Sequence, residues 1–368
     1  MSGGPVLSIL SAMAGFGKEV GMAVGMASIL FCMSSSAGET VVEEFANGPV
    51  EGHVHASTLI PLKDGGVLVA WFEGSREGAP DVAIRGACRI DGVWQPVRTF
   101  AKVNPDSPHW NPVLRRADDG RLELFFKVGR NCSDWRTYVQ ESRDEGASWS
   151  TPRELVFGEV RGGRGPVKNK CLRLKSGRWL APASREIGVW RAFADISDDD
   201  GRTWRAGAEM PVPTLGGESK FGVIQPSFWE DSKGDVHALL RSNEGHVWRA
   251  DSKDAGETWC EVYSTGLENL NSGLDCLKAS DGNLYLVFNG YTNGKNGWGH
   301  RNHLELRVSK DNGTTWALVR VLADDVVRQP DGRGTEFSYP AVVEVRPRVL
   351  GVSFTWNRRR IRYVEYPF

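Results

Sequence analysis

The sequence predicts an all-β chain, a six-bladed β-propeller with four-stranded antiparallel blades. Three observations carry that reading. An eight-residue box, Ser-x-Asp-x-Gly-x-Ser/Thr-Trp, occurs four times: Ser142 to Trp149, Ser197 to Trp204, Ser252 to Trp259 and Ser309 to Trp316. The boxes are spaced by 55, 55 and 57 residues. A second series of turns runs in phase with them, at Asp64-Gly65-Gly66, Asp119-Gly120, Ser176-Gly177, Lys233-Gly234 and Asp281-Gly282. A fixed period of this length marks a repeat of one supersecondary unit.

The first residues stand apart. Val20 to Met33 is apolar, Lys18 precedes it, and the small residues from Ser34 to Gly38 follow. This is the pattern of a secretory leader, so residues 1–38 are expected to be a signal peptide and residues 39–368 a single domain. An exported protein is expected: secreted, periplasmic or otherwise outside the cytoplasm. The apolar run is short for a membrane span, and no other segment reaches transmembrane length. Past residue 40 there is no linker, charge block or low-complexity tract.

Each turn of the second series precedes a β-type run: 67–72, 122–126, 179–181, 236–240 and 284–288. A sixth run, 349–354, lacks the Gly turn. Turn, strand, strand and boxed turn describe one antiparallel blade. Within the box, Asp and Ser can bond nearby backbone N–H groups, Gly accepts positive φ, and Trp covers the turn. Four copies favour a structural lock over a catalytic loop. Counting back 55 residues from Ser142 reaches a shortened box, Cys88-Arg-Ile-Asp91-Gly92-Val-Trp94. Residues 40 to 368 then hold six units. The opening run, 40–45, is expected to pair with the last blade and close the ring.

Charge excludes some partners. Lys and Arg number 45, Asp and Glu 46, so a net charge of −1 gives no global attraction to nucleic acid or to an anionic membrane. Cysteines 32, 88, 132, 171, 260 and 276 show no CxxC pair, and Cys32 falls in the leader. Five remain, so a complete disulfide framework is excluded and one bridge is possible. No metal-ligand spacing stands out, so no metal or other cofactor is expected. Nothing in the sequence specifies an oligomeric state.

More specific motifs are His55-Ala-Ser-Thr-Leu, Glu73-Gly-Ser-Arg-Glu-Gly-Ala-Pro-Asp81-Val-Ala-Ile, Gln225-Pro-Ser, Asn271-Ser-Gly-Leu-Asp275, Glu336-Phe-Ser-Tyr339-Pro and Thr355-Trp-Asn-Arg358. With the boxes, they resemble the Asp-box (bacterial neuraminidase repeat) proteins, and in particular the predicted-neuraminidase, or sialidase-like, branch. The resemblance covers residues 50–366. It implies an exo-acting glycosidase on a terminal acidic sugar, by default an α-linked sialic acid. Such a fold uses three Arg to grip the substrate carboxylate, a Tyr nucleophile activated by a Glu, and an Asp acid/base on a first-blade loop. A phenol avoids the repulsion that an anionic nucleophile meets from the substrate carboxylate.

Residue by residue, the resemblance implies Asp81 as acid/base, Arg241 and Arg301 as the second and third Arg, and Tyr339 as nucleophile. The chain departs from the pattern elsewhere. His55-Ala-Ser stands where an Arg-Ile-Pro motif carries the first Arg, Thr355 stands where that Arg's clamping Glu falls, and Gln225 stands where the Tyr-activating Glu falls. A Gln accepts no proton at neutral pH. Glu336 or Asp275 are candidates for the missing base, or for a direct inverting base. Arg76 or Arg358 could supply a third cation, and His55 could bind an anion or act as acid/base. Glu77 and Glu186 are further carboxylates. Lys168-Asn169-Lys170, after the stretch from Arg161 to Gly165, reads as an anionic-glycan contact or an exposed loop. Trp110, Trp190 and Trp298 could stack on sugar or pack under loops. An acidic glycan is the expected partner. The alternatives are another acidic glycan (uronate or deoxysugar), cut by hydrolysis or elimination, and an inactive glycan-binding propeller.

Overall fold

The computed structural model describes residue 1 and residues 41–159, 162–214, 220–291, 299–325 and 334–368. Residues 2–40, where a leader was expected, with Cys32 among them, and Arg161 and Trp298 lie outside the described residues. The domain is a ring of six antiparallel sheets. Blade one holds β2 (His53–Pro61), β3 (Val67–Gly74), β4 (Ala83–Ile90) and β5 (Val93–Trp94), with β6 (Arg98–Ala101) also paired to β4. Blade two holds β7 (His109–Arg116), β8 (Leu122–Val128), β9 (Arg136–Ser142) and β10 (Arg153–Glu154). Blade three holds β11 (Leu172–Arg173), β12 (Trp179–Arg185), β13 (Arg191–Ser197) and β14 (Arg205–Glu209).

Blade four holds β15 (Val223–Glu230), β16 (Val236–Ser242), β17 (His246–Ser252) and β18 (Tyr263–Glu268). Blade five holds β19 (Asp275–Lys278), β20 (Leu284–Phe288), β21 (His303–Ser309) and β22 (Ala317–Asp324). Blade six holds β23 (Phe337–Arg346), β24 (Val349–Trp356) and β25 (Arg360–Pro367), and β1 (Val42–Phe45) completes it. Val42 lies opposite Glu365 and Phe45 opposite Arg362, so the first strand of the chain closes the ring on the last blade. This pairing ties the two ends of the ring together, with β1 as the outer strand of blade six.

Every sequence-predicted run is the second strand of its blade. The glycine turns before five of them have φ between 83° and 93°. In the sixth blade, Arg348 takes this place at φ 64°. The four boxes repeat one hydrogen-bond set. In the second-blade copy, Ser142 Oγ donates to Asp144 Oδ1 (2.8 Å) and accepts from Gly146 N (2.8 Å), and Ser148 N donates to Asp144 Oδ1 (2.8 Å). The shortened box of blade one is a tight hairpin, with Asp91 at φ 48° and Gly92 at φ 79°. The five described cysteines, Cys88, Cys132, Cys171, Cys260 and Cys276, are free thiols.

The core lies between blades rather than at one centre. Leu68, Phe72, Leu124 and Phe126 fill the space between blades one and two; Leu180, Phe228 and Leu240 fill that between blades three and four. Each such side chain contributes about 1.5–3 kcal/mol on full burial. Between blades two and three the apolar cluster is small, and charge fills the gap. Arg115 pairs with Glu123 (2.5 Å), and Arg164 forms a fork on Asp195 (2.9 Å).

Strand alternation sorts the connections onto two ends. The first turn of each blade and its box share one end. The loops between second and third strands, and the passages between blades, share the other, and that end carries the candidate site.

Candidate functional site

Backbone strain marks where the site is built. Near the site end of the first strand in four blades, the ladder slips at a bulge: after His55, Trp110, Ile224 and Ser338. The residues in these bulges are Ala56 (φ 56°), Asn111 (φ 38°), Gln225 (φ 54°) and Tyr339 (φ 51°). Asn271, just before the short β19, has φ 56°. Non-glycine residues in this region carry a strain of order 1 kcal/mol or more, and such positions cluster at functional sites. Three are followed by proline: Asn111-Pro112, Gln225-Pro226 and Tyr339-Pro340.

Arg241, at the end of β16, is buried and hydrogen-bonded through Nε and Nη1. Its Nε donates to Asn271 Oδ1 (2.7 Å), and its Nη1 donates to the Tyr339 hydroxyl (2.9 Å) and to Gln225 Oε1 (3.3 Å). Its guanidinium lies 5.8 Å from the Tyr339 ring centre and 5.5 Å from that of Trp190. Arg301 lies 5.7 Å from the same Tyr339 ring and donates to the Asn271 carbonyl (3.2 Å). Burial, together with the like charge of Arg241, lowers the Arg301 pKa. Two guanidinium groups therefore bracket one phenol.

Glu336 and Arg358 form a tied pair behind them. Arg358 Nε donates to Glu336 Oε2 (2.9 Å), Ser338 Oγ donates to Glu336 Oε1 (2.6 Å), and Arg301 Nη1 lies 3.5 Å from that same oxygen. Burial pushes the Glu336 carboxyl up, but Arg358 and the charges around it prevail and hold it far below the usual carboxylate range. Glu336 therefore stays ionised and holds arginines, which makes it a poor proton acceptor. Arg358 also pairs with Glu77. Its charge is shared between two carboxylates, and its pKa is raised above the ordinary arginine value by them against the effect of burial.

His55 is buried. Its Nδ1 is 2.9 Å from Thr355 Oγ1, and its ring centre is 4.2 Å from that of Tyr339. Burial, reinforced by Arg358, lowers its pKa well below the ordinary histidine value. A neutral imidazole paired with a Thr thus occupies the place where the sequence resemblance puts an Arg and its clamp.

Asp275 is not a free base. Lys170 Nζ lies 2.8 Å from both of its oxygens, Ser227 Oγ donates to Oδ1 (2.8 Å), and Val342 N donates to Oδ2 (2.9 Å). Its place is a buried pin joining blades three, four, five and six. Lys168, also buried, bonds Asn169 Oδ1 and the Leu274 and Pro340 carbonyls. The exposed-loop reading of these lysines therefore fails, because both tie the inner passages together.

Asp81 lies on the exposed first-blade loop. Ser75 N and Ser75 Oγ donate to its two oxygens, at 2.9 Å each. Burial raises its carboxyl, and the Ser75 bonds and the Lys102 charge more than reverse this, so it is held low. It lines a cavity of about 380 Å³ with Glu73, Arg85, Thr99 and Lys102. No contact joins it to the Tyr339 cluster among the described residues. Arg76 is exposed on the same loop. Trp110 donates to the Gly129 carbonyl (2.8 Å) and packs on Phe72, whereas Trp190 faces Arg241.

Sequence reasoning underused Asn271 and Glu186. Asn271 holds both arginines through its side chain and its carbonyl; its Asn-Ser-Gly motif was the available signal. Glu186, just past β12, accepts from Gln225 Nε2 (3.0 Å) and Ser184 Oγ (3.2 Å) at one oxygen. Burial raises its pKa against the pull of Arg241.

A family model described as BNR repeat-like domain matches residues 65–350. The chain belongs to this family. Among solved structures, the BNR chain is similar to a Dyadobacter fermentans protein of unknown function (19% identity, 88% of this chain, 98% of that one, TM-score 0.69). It is also similar to the Hadza microbial sialidase Hz136 (15%, 86% and 66%, TM-score 0.70). A third is the NanB sialidase of Streptococcus pneumoniae (14%, 87% and 70%, TM-score 0.67). At these identities the likeness is one of fold. The BNR propeller is thus sialidase-like in architecture, and its function has to be argued from the site.

Proposed function

We propose that this protein is an exo-acting glycoside hydrolase that removes a terminal acidic sugar, by default α-linked sialic acid, from a glycan. The observation that carries the reading is the bracket of Arg241 and Arg301 on Tyr339, at 5.8 and 5.7 Å from its ring centre. Guanidinium forks suit a sugar carboxylate. With the carboxylate held there, the anomeric carbon comes over the phenol. Asp81, on the loop above, would serve the leaving group. The leader-like pattern of residues 18–38 fits an exported protein, where such glycans are met.

A second reading keeps the acidic sugar but changes the chemistry. The neutral His55 ring lies 4.2 Å from the Tyr339 ring, beside two arginines. A Tyr–His pair facing a neutralised uronate could remove the proton next to its carboxylate and cut by β-elimination.

The test is fluorophore release from 4-methylumbelliferyl sialoside and uronides by protein lacking residues 1–38. Release from the sialoside, lost in Asp81→Ala and Tyr339→Phe, supports the first reading. An unsaturated product absorbing in the near ultraviolet supports the second. Binding without turnover on every substrate leaves a glycan-binding propeller and sinks both.

A further inference from the structure

The pattern this site resembles needs a carboxylate beside its Tyr, and position 225 has none. The structure offers five carboxylates near the site; three are spent on ion pairs, and Asp81 is assigned to the leaving group. Glu336 is tied to Arg358, Arg301 and Ser338. Asp275 is tied to Lys170, Ser227 and the Val342 N–H. Glu77 is paired with Arg358, and both oxygens of Asp81 are held by Ser75.

Glu186 differs from all four. Both of its hydrogen bonds, from Ser184 and Gln225, fall on Oε1. Among the described residues, Oε2 has no partner and no Lys or Arg forms an ion pair with it. The side chain is nevertheless fixed in place. Gln225 donates to it with one end of its amide and accepts from Arg241 with the other, and the same Arg241 nitrogen donates to Tyr339. One pinned oxygen and one open oxygen, without a direct ion pair, are what a proton acceptor needs. The upward pKa shift from burial strengthens it as a base.

We propose that Glu186 is the general base for hydrolysis at this site: with no carboxylate at position 225 to activate Tyr339, Glu186 activates water directly. This rests on the glycoside-hydrolase reading. In the step, Glu186 Oε2 takes a proton from a water molecule. The water oxygen forms its bond to the anomeric carbon with the freed electron pair. The bond from that carbon to the aglycone oxygen breaks, and its pair stays on the oxygen. An aryl oxygen departs as the phenolate; an alkyl oxygen takes a proton from solvent or from the first-blade loop. Glu186 then returns its proton to solvent. A single displacement by water inverts the configuration at the anomeric carbon.

The experiment uses the aryl glycoside that the wild-type protein cleaves fastest. Glu186→Gln is expected to lower kcat at least 100-fold, to change KM only a few-fold, and to remove the acid limb of the pH–rate profile. Glu186→Ala is expected to recover activity with azide and to yield the glycosyl azide of inverted configuration, which a merely structural residue would not do. Glu186→Gln combined with Gln225→Glu keeps the amide–carboxylate pair in reverse order, and should recover at least tenfold over Glu186→Gln alone. Folding of each variant is checked by near-ultraviolet circular dichroism. A folded Glu186→Gln protein with wild-type kcat and pH profile overturns the base while leaving the hydrolase reading intact. If that variant does not fold, absence of azide recovery in Glu186→Ala overturns it. No turnover by the wild-type protein on any acidic glycoside overturns the hydrolase reading and the base together.

Discussion

Gln225→Glu, made alone, is a severe test of the electrostatics of this site. The Gln225 amide separates a carboxylate from a guanidinium: Nε2 lies 3.0 Å from Glu186 Oε1, and Oε1 lies 3.3 Å from Arg241 Nη1. The substitution replaces the donor by an oxygen and sets two carboxylates in contact. At an effective dielectric of about 20, like charges at that separation repel by roughly 5.5 kcal/mol, and Arg241 returns roughly 5 kcal/mol. Desolvation decides the sign. Position 225 is 1% exposed, and a newly buried charge is penalised by several kcal/mol before pairing. A net loss of about 2–4 kcal/mol near pH 7.5 follows, and the carboxylate pair escapes it by keeping one proton.

That proton fixes the pH dependence. A carboxyl whose folded pKa is raised contributes stability that is fully present below its unfolded pKa of about 4.3 and is lost as pH rises through the folded value, at most about 1.4 kcal/mol per pH unit. The variant should therefore lie close to wild type at pH 5 and fall well below it at pH 7.5. Urea unfolding at the two pH values, with the wild-type protein alongside, measures the difference. A stability loss that is the same at both values, or larger at pH 5, would refute the assigned contact between Gln225 and Glu186.

Arg241→Ala and Arg301→Ala should each raise KM for acidic glycosides about 10- to 100-fold, from loss of a charge-assisted contact of about 1.5–3 kcal/mol. Uncharged glycosides of the same aglycone are the control, and an equal effect on both would remove the carboxylate grip. Ser252→Ala deletes the acceptor of the buried Gly256 N–H (2.9 Å) and should cost about 1–3 kcal/mol in urea unfolding. The same change at Ser142, Ser197 or Ser309 should agree within about 0.5 kcal/mol, because the bond set is the same; a silent box would contradict the structural role. Lys127 is buried against Thr137 Oγ1 (2.7 Å) and the Arg164 carbonyl (2.6 Å), and burial pulls its pKa down to about 7. From there to about pH 10.4 the unfolded chain binds more protons, so stability rises with pH by up to about 1.4 kcal/mol per unit. Lys127→Met should flatten that slope between pH 7.5 and 9.5, leaving the share of Lys168; an unchanged slope would show that Lys127 is charged when folded.

The ring was legible because its signal is local and repeated. Each box closes on itself through a Ser, an Asp and a Gly within five residues, so the four copies could be read without knowing what they pack against. The box spacing then fixed the blade count, and β1 met β25 where the arithmetic placed them. The site was half legible for the opposite reason. Tyr339, Arg241, Arg301, Glu336, Gln225 and His55 do meet at one end, but what each can do depends on a partner from another blade. Asp275 was read as a base because Lys170, 105 residues earlier, is invisible as its partner in a linear chain. Glu336 was weighed as a base for its three-residue distance from Tyr339; residues three apart along extended chain do not share a face, and Glu336 is held by Arg358 instead. One signal was present and unread. Three site-end bulges are written as a polar or aromatic residue before Pro, at Asn111, Gln225 and Tyr339. Proline supplies no N–H for the ladder, so a proline in the middle of a first strand favours a break in register there. A break that recurs in three of the six blades, at the end away from the boxes, points inward at the same mouth each time. Read with the box period, those prolines would have located the site from the repeat alone. They would also have put Gln225 and Tyr339 in equivalent places, which is why one arginine can hold both.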